Sequence, residues 1–297
     1  MQGMTTPLPP SPQLSSLPLS DVRVVSLALN LPGPAALMRL RAMGAQCTKV
    51  DPPSGDPMAL YCPPAHADLH QGVNTVVLDL KQADGQQQLH QLLANADVLL
   101  TSFRPSALKK LGLSWADLHP RHPRLVVVDI VGAPGARAEE PGHDLTYLAD
   151  NGLVPGLELP ATLYADMAGA LLASEAVLRG LMQRQQTGRG EHLQVALSDA
   201  AAWLAQPRTW GLTTPEGDVG GGHAGYRIYP CLDGRVALAA LEPHFASRLC
   251  RVAGLPESTP MRSTQTQTTL ARFFSALTQA QVAELATLHD LPLSVLD

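Results

Sequence analysis

Short apolar runs recur along the first two thirds of this chain, each followed by a segment with helical spacing, and that alternation leaves few architectures open. Val22–Leu27, Gln46–Val50, Thr75–Leu80, Asp97–Leu100, Leu125–Val131 and His192–Leu197 read as strands. Between them Pro34–Met43, Asp84–Ala94, Ser106–Leu111 and Asp166–Gln185 carry apolar residues at helical intervals. A parallel neighbour requires a crossover long enough to hold a helix, so strands and helices alternating in this way imply a mostly parallel sheet. The expected fold class is α/β, with helices covering a Rossmann-like sheet.

The pattern changes near Gly217–Gly225, a glycine-rich loop. Beyond it, Tyr226–Tyr229 and Arg235–Leu241 flank Asp233-Gly234, a hairpin signal. Helical segments follow at Phe245–Ala253, Thr268–Leu277 and Gln279–His289. The proline-interrupted residues 1–18 read as a disordered leader, 19–205 as the large α/β domain, 206–224 as a glycine-rich linker and 225–297 as a smaller α+β domain. Asp166 stands where a helix N-cap is expected, and Thr187-Gly188-Arg189-Gly190 closes that helix.

Charge and composition remove several classes of function. Lys and Arg number 21 against 26 Asp and Glu, a net charge of −5, so no broad cationic surface meets a phosphate backbone. Nucleic acid is not an expected partner. No run of about 18 to 20 apolar residues is present, and the leader has no basic start before an apolar core, so neither membrane nor secretion is expected. Cysteines 47, 62, 231 and 250 form no C-x-x-C pair, which suits reduced thiols and a cytoplasmic location. Histidines 66, 70, 90, 119 and 122 read as surface residues without ligand spacing, and no metal is expected.

The standard catalytic signatures are absent. The first strand runs into Ala28-Leu29-Asn30-Leu31-Pro32-Gly33-Pro34, one glycine where a dinucleotide-binding turn needs three. The chain has no phosphate-binding G-x-x-x-x-G-K-[ST], no G-x-S-x-G and no H-E-x-x-H. Composition and periodicity alone end at a water-soluble α/β protein.

Longer strings go further. Ala96-Asp97-Val98-Leu99-Leu100-Thr101-Ser102-Phe103-Arg104-Pro105, with Leu111-Gly112-Leu113 after it, resembles the A-D-V-L-x-x-N-F-R-P-G…L-G-L block of the family III CoA-transferases. Val77-Leu78-Asp79-Leu80-Lys81, Gly142-His143-Asp144-Leu145-Thr146-Tyr147, Ala165-Asp166-Met167-Ala168-Gly169 and Thr187-Gly188-Arg189-Gly190 match further blocks in the same order. The similarity covers about Leu19 to Phe245. Gly142-His143-Asp144 and the Gly220-Gly221-Gly222 loop leading to Glu242-Pro243-His244-Phe245 look like the α-methylacyl-CoA racemase branch. Gly72-Val73-Asn74 stands where the family commonly has a basic G-K-R string, and relatives continue past Asp297 with a segment that returns to the large domain.

The resemblance implies an acyl-CoA substrate, no cofactor beyond coenzyme A as part of that substrate, and a homodimer, interlocked in the family. It implies His143 and Asp166 as a proton-transfer pair at the carbon beside the thioester, Glu242 orienting His143, and Arg104 and Lys81 beside the CoA moiety. Removing that weakly acidic proton needs a base in reach and donors for the developing enolate oxygen. The backbone N–H groups of Met167 and Ala168 are the expected donors. Three readings stay open: racemisation or epimerisation of a 2-methyl-branched acyl-CoA, CoA transfer between carboxylic acids with Asp166 as nucleophile, and a non-catalytic remnant or scaffold.

Overall fold

The structure is a computed structural model describing residues 17–296; most of the stretch read as a leader therefore lies outside the described residues. The chain divides after Leu204 into two compact units. In the first, β1 (Arg23–Ser26), β2 (Gln46–Asp51), β3 (Asn74–Val77), β4 (Val98–Thr101), β5 (Val126–Val131) and β6 (His192–Ala196) form one sheet in the order β3-β2-β1-β4-β5-β6. Every neighbouring pair is parallel.

Successive side chains of the central strands go to opposite faces, as the pleat requires. Val24, Val98, Leu100, Val126, Val128 and Ile130 enter one core, under the helices Pro32–Ala42 and Tyr164–Thr187. Val25, Leu99 and Val127 enter a second, with Leu89 and Leu93 of the helix Ala83–Leu93 and Leu108 of the helix Pro105–Lys110. Because both faces are covered, β4 and β5 read as near-continuous apolar runs, broken in β5 only by Asp129, rather than alternating ones.

The turn after β1 is short and constrained. Pro32 opens the following helix, where its fixed φ is preorganised and its missing N–H costs nothing. A Cβ on Gly33 would collide with Ala28 Cβ, so glycine lets this helix start lie directly on the strand. Asn30 takes a left-handed φ of 63°.

The second unit begins at Ala205. β7 (Tyr226–Cys231) and β8 (Gly234–Ala239) form an antiparallel hairpin, and β9 (Leu293–Leu296) pairs antiparallel with β8. Gly234 pairs with Cys231, so the turn residues are Leu232 and Asp233, one position earlier than the Asp233-Gly234 signal suggests. The helices Pro243–Val252, Thr264–Ser275 and Gln279–His289 complete the unit around Tyr229, Val236, Leu249, Leu270, Phe274 and Val282. The middle helix starts four residues before its expected position, because the Ser263 hydroxyl accepts the Gln265 N–H at 3.2 Å and draws the polar stretch into its first turn.

The five histidines expected at the surface are half-buried instead. His90 Nδ1 meets His122 Nε2 at 3.0 Å, His119 packs on Trp115, and His66 and His70 have ring centroids 4.2 Å apart. Their aromatic faces pack against neighbouring rings, which spacing along the chain does not reveal.

Gly33→Ala is expected to destabilise the protein by about 1–3 kcal/mol, the usual cost of forcing atoms into a filled site. A urea melt beside the unsubstituted protein measures it; an unchanged midpoint would mean that the helix start is free to move off the strand.

Candidate active site

A cleft of about 510 Å³ opens at the carboxyl ends of β1, β4 and β5. β1 and β4 are adjacent strands whose outgoing connections run to opposite sides of the sheet, since β2 lies beyond β1 and β5 beyond β4. Such a switch in strand order leaves a crevice between the diverging connections. Here it is edged by Asn30 and Leu31 after β1, and by Ser102 and Arg104 after β4.

His143, Asp144 and Asp166 line the same cleft. Two helix starts bring them there. His143 is the N-cap of the helix Asp144–Asp150, with extended backbone at φ −141° and ψ 170°. Its N–H donates to the Thr146 hydroxyl at 3.1 Å, and that hydroxyl donates to the His143 carbonyl at 2.8 Å. This local loop leaves His143 exposed while the next residue, Asp144, turns inward and is 4% exposed.

Asp166 lies in the first turn of the helix Tyr164–Thr187, whose N-cap is Leu163, three residues earlier than expected. The Asp166 N–H donates to Asp144 Oδ1 at 3.0 Å. A buried carboxylate thus serves an N–H that the opening turn cannot satisfy internally. Burial pushes the Asp166 carboxyl up to about 6; the neighbouring Asp144 charge pushes the same way, and His143 pulls it partly back. A carboxyl poised there can hold or release a proton near neutrality.

The expected enolate donors are not where the sequence puts them. With the helix beginning at Tyr164, the Met167 N–H already donates to the Leu163 carbonyl at 3.1 Å, and that of Ala168 falls within the helical ladder. Shifting the helix start by three residues converts both into interior N–H groups.

Two tyrosines face the same carboxyl. Tyr147 lies against Gly132 and Gly142; a Cβ at Gly142 would stand 2.6 Å from its hydroxyl. Tyr61 lines the cleft with its hydroxyl 3.5 Å from Asn30 Oδ1. Burial raises the pKa of each phenol, and the charge of Asp166 adds to it in both. Sequence reasoning assigned no role to Asp144, Tyr147, Tyr61 or Asn30. Asp144 and Tyr147 sit inside the Gly142–Tyr147 string, where the position beside His143 was the available signal.

Of the other expected residues, Arg104 and Lys81 belong to the first unit and Glu242 to the second. Arg104, exposed at the N-cap of the helix Pro105–Lys110, edges the cleft of Asp166. Lys81 lines a second cleft of about 360 Å³ at the ends of β2 and β3, with Asp51, Leu78 and Phe103. The two clefts are successive along the chain after β4, since Phe103 faces one while Ser102 and Arg104 face the other. Glu242 belongs to the second unit, exposed at the N-cap of the helix Pro243–Val252. The lining of the Asp166 cleft comes entirely from the first unit.

A raised carboxyl pKa has a sign in stability. Asp166 binds its proton more tightly when folded than at its ordinary value of 3.8, so its ionisation penalises the fold progressively from about pH 4 and fully above about pH 6. Asp166→Asn, uncharged at every pH, is therefore expected to raise the melting temperature at pH 8 and to change it little at pH 4. Melts of both proteins at the two pH values test this; a gain confined to pH 4 would reverse the sign.

Comparison with known proteins agrees with this geometry. The family model for CoA-transferase family III matches residues 19–297. The chain is 29% identical to a probable fatty acyl-CoA transferase, Rv3272, of Mycobacterium tuberculosis, over 81% of this chain and 70% of that one. It is 30% identical to the human alpha-methylacyl-CoA racemase, over 80% of this chain and 65% of the racemase. With the cinnamoyl-CoA:phenyllactate CoA-transferase of Clostridium sporogenes it shares 32% identity, over 66% of this chain and 54% of that enzyme. The chain thus spans roughly half to two thirds of the length of these relatives. The crystal structure of the M. tuberculosis Rv3272 protein superposes with a TM-score of 0.81 at 25% identity, covering 94% of this chain and 84% of that one. With the sheet order, the cleft at its switch point and a family match that runs nearly end to end, the chain belongs to CoA-transferase family III.

Proposed function

We propose that the protein acts on an acyl-CoA and inverts the carbon next to the thioester carbonyl of a 2-methyl-branched acyl group, with His143 and Asp166 as the proton-transfer pair. The observation that carries this reading is the carboxyl of Asp166, raised to about 6, in one cleft with an exposed imidazole. Inversion needs two groups that exchange roles, one taking the α-proton as the other returns one from the opposite face. In one direction the Asp166 carboxylate removes the proton, the C–H electron pair enters an enolate, and protonated His143 delivers a proton to the same carbon. In the other direction the roles reverse. A carboxyl raised to about 6 can both take and return the proton.

Asp144 supports this reading as a positioning residue. It holds the backbone of Asp166 through its N–H and adds its charge to the burial that raises the carboxyl. Arg104 at the rim offers a cation to the phosphates of coenzyme A, and Lys81 offers another from the adjoining cleft. Glu242 is assigned to orient His143 on the strength of the family string alone. A homodimer is proposed with it, and exposed Tyr164, Met167 and Leu171 along one face of the long helix are apolar surface for a second copy to cover.

The second reading rests on the same carboxylate. As a nucleophile, Asp166 attacks the thioester carbonyl, the C–S bond breaks, CoA leaves as thiolate and a mixed anhydride forms. CoA then attacks the aspartyl carbonyl, the first acid departs, and an incoming carboxylate takes over the CoA. Relatives of both kinds are similar to this chain, racemases and CoA-transferases alike.

One experiment separates the readings. A single enantiomer of a 2-methyl-branched acyl-CoA is incubated with the protein in D2O without a carboxylic-acid acceptor. Deuterium at the α-carbon and loss of optical purity are expected, with His143→Ala and Asp166→Ala each slowing exchange by about 10²–10⁴-fold. Turnover only with an added carboxylate, and trapping of Asp166 by hydroxylamine, would replace inversion with transfer. Absence of CoA binding by calorimetry would leave the remnant or scaffold reading.

A further inference from the structure

The helix Pro63–Leu69 and its C-cap carry His66 and His70 one turn apart, beside the buried carboxyl of Asp56. One nitrogen of each imidazole and a carboxylate oxygen of Asp56 all lie within 4.8 Å of one another. Donors that each approach a zinc ion at about 2.0–2.2 Å stand roughly 3–4 Å apart, so small side-chain rotations close this set around one ion. Histidines at i and i+4 on a helix are a spacing that suits such binding.

Two independent features distinguish the cluster from chance proximity. His70 Nδ1 lies 2.7 Å from the His66 carbonyl, a contact that places the ring hydrogen on Nδ1 and leaves a lone pair on Nε2. That Nε2 is buried and has no hydrogen-bond partner among the described residues. Buried polar atoms are rarely left so, and a ligand is one reason for an exception. The carboxylate is oriented as firmly. Asp56 Oδ1 accepts the N–H groups of Asn30 at 3.1 Å and Met58 at 3.0 Å, and Oδ2 accepts Lys49 Nζ at 2.8 Å.

A cation beside Lys49 requires a charge account. Lys49 is fully buried and bonded to Asp51 as well as Asp56, so these three residues together carry one net negative charge. Neutral imidazoles add nothing to it. An ammonium on the outer lone pair of a ligating carboxylate is an orienting partner of the kind that metal ligands commonly have.

We propose that Asp56, His66 and His70 form a binding site for a borderline first-row divalent cation of the zinc class, two imidazole nitrogens and one carboxylate oxygen leaving a fourth position to water. The ion ties the helix Pro63–Leu69 to the loop after β2, across the short segment that bears Tyr61. The site is separate from the proposed reaction and does not depend on it.

Calorimetric titration of the chelator-stripped full chain with Zn²⁺, and Co²⁺ titration followed by visible absorption, test the proposal. Saturation at one equivalent is expected, with the absorption of a low-coordinate nitrogen and oxygen site. His66→Ala and His70→Ala are each expected to weaken binding at least tenfold, while His90→Ala, which alters the other histidine pair, leaves it unchanged. Because His70 is half-buried, His66→Gln is the second variant, chosen to keep the helix and confirmed by an unaltered metal-free melt. Lack of saturable binding by the unsubstituted protein, or affinity unchanged from the unsubstituted protein in both His66→Ala and His66→Gln, would overturn the assignment.

Discussion

The parallel pairing of β1 with β2 on one side and β4 on the other is the constraint on which the site depends. Each strand end must release the chain toward a helix, and at this pair the releases diverge. The gap between them cannot be filled by either connection, so it remains a crevice where backbone from distant parts of the chain converges. Asn30, Ser102, Arg104 and Gly132 reach the cleft for that reason, although they are about seventy or more residues apart between the first and the others.

Within this crevice the electrostatics follow from helix starts. The helices Asp144–Asp150 and Tyr164–Thr187 both begin at the cleft, and each carries an aspartate in its first turn, where the helix dipole favours negative charge. Asp144 uses its charge structurally, accepting the Asp166 N–H. Asp166 then carries a carboxyl that burial and its neighbour disfavour as an anion. Burial and the neighbouring charge together give Asp166 a proton affinity near neutrality. A parallel division occurs in the Lys49 cluster, where Asp56 takes an ammonium and two backbone N–H groups. Burial raises its pKa, yet those bonds outweigh burial and hold it below the usual carboxylate value.

Much of the fold was legible in the chain because hydrophobic periodicity is local. Runs as apolar as Val126–Val131, with Asp129 the one polar residue, indicate strands covered on both faces, and Gly188 marks the end of the long helix with its φ of 72°. Element boundaries were less legible. Asp166 satisfies the sequence rule for an N-cap, yet the helix begins earlier because its first turn is set by packing of buried Ala165 and by the Asp144 contact. The half-buried histidines escaped for a related reason: an imidazole reads as polar in sequence, and only packed neighbours decide whether its ring is covered.

The sequence by itself determined the α/β class, the family and the presence of His143, Asp166 and Arg104 in matching strings. Each of these is carried by residue identity and short-range spacing. Tertiary structure alone decided that Asp144, Tyr147, Tyr61 and Asn30 line one cleft with Asp166, that Lys81 lies in a neighbouring cleft, and that His66 and His70 stand beside Asp56. Those relations join positions separated by many residues, and the free energy that fixes them comes from burial and pairing between strands and helices, which no local pattern encodes.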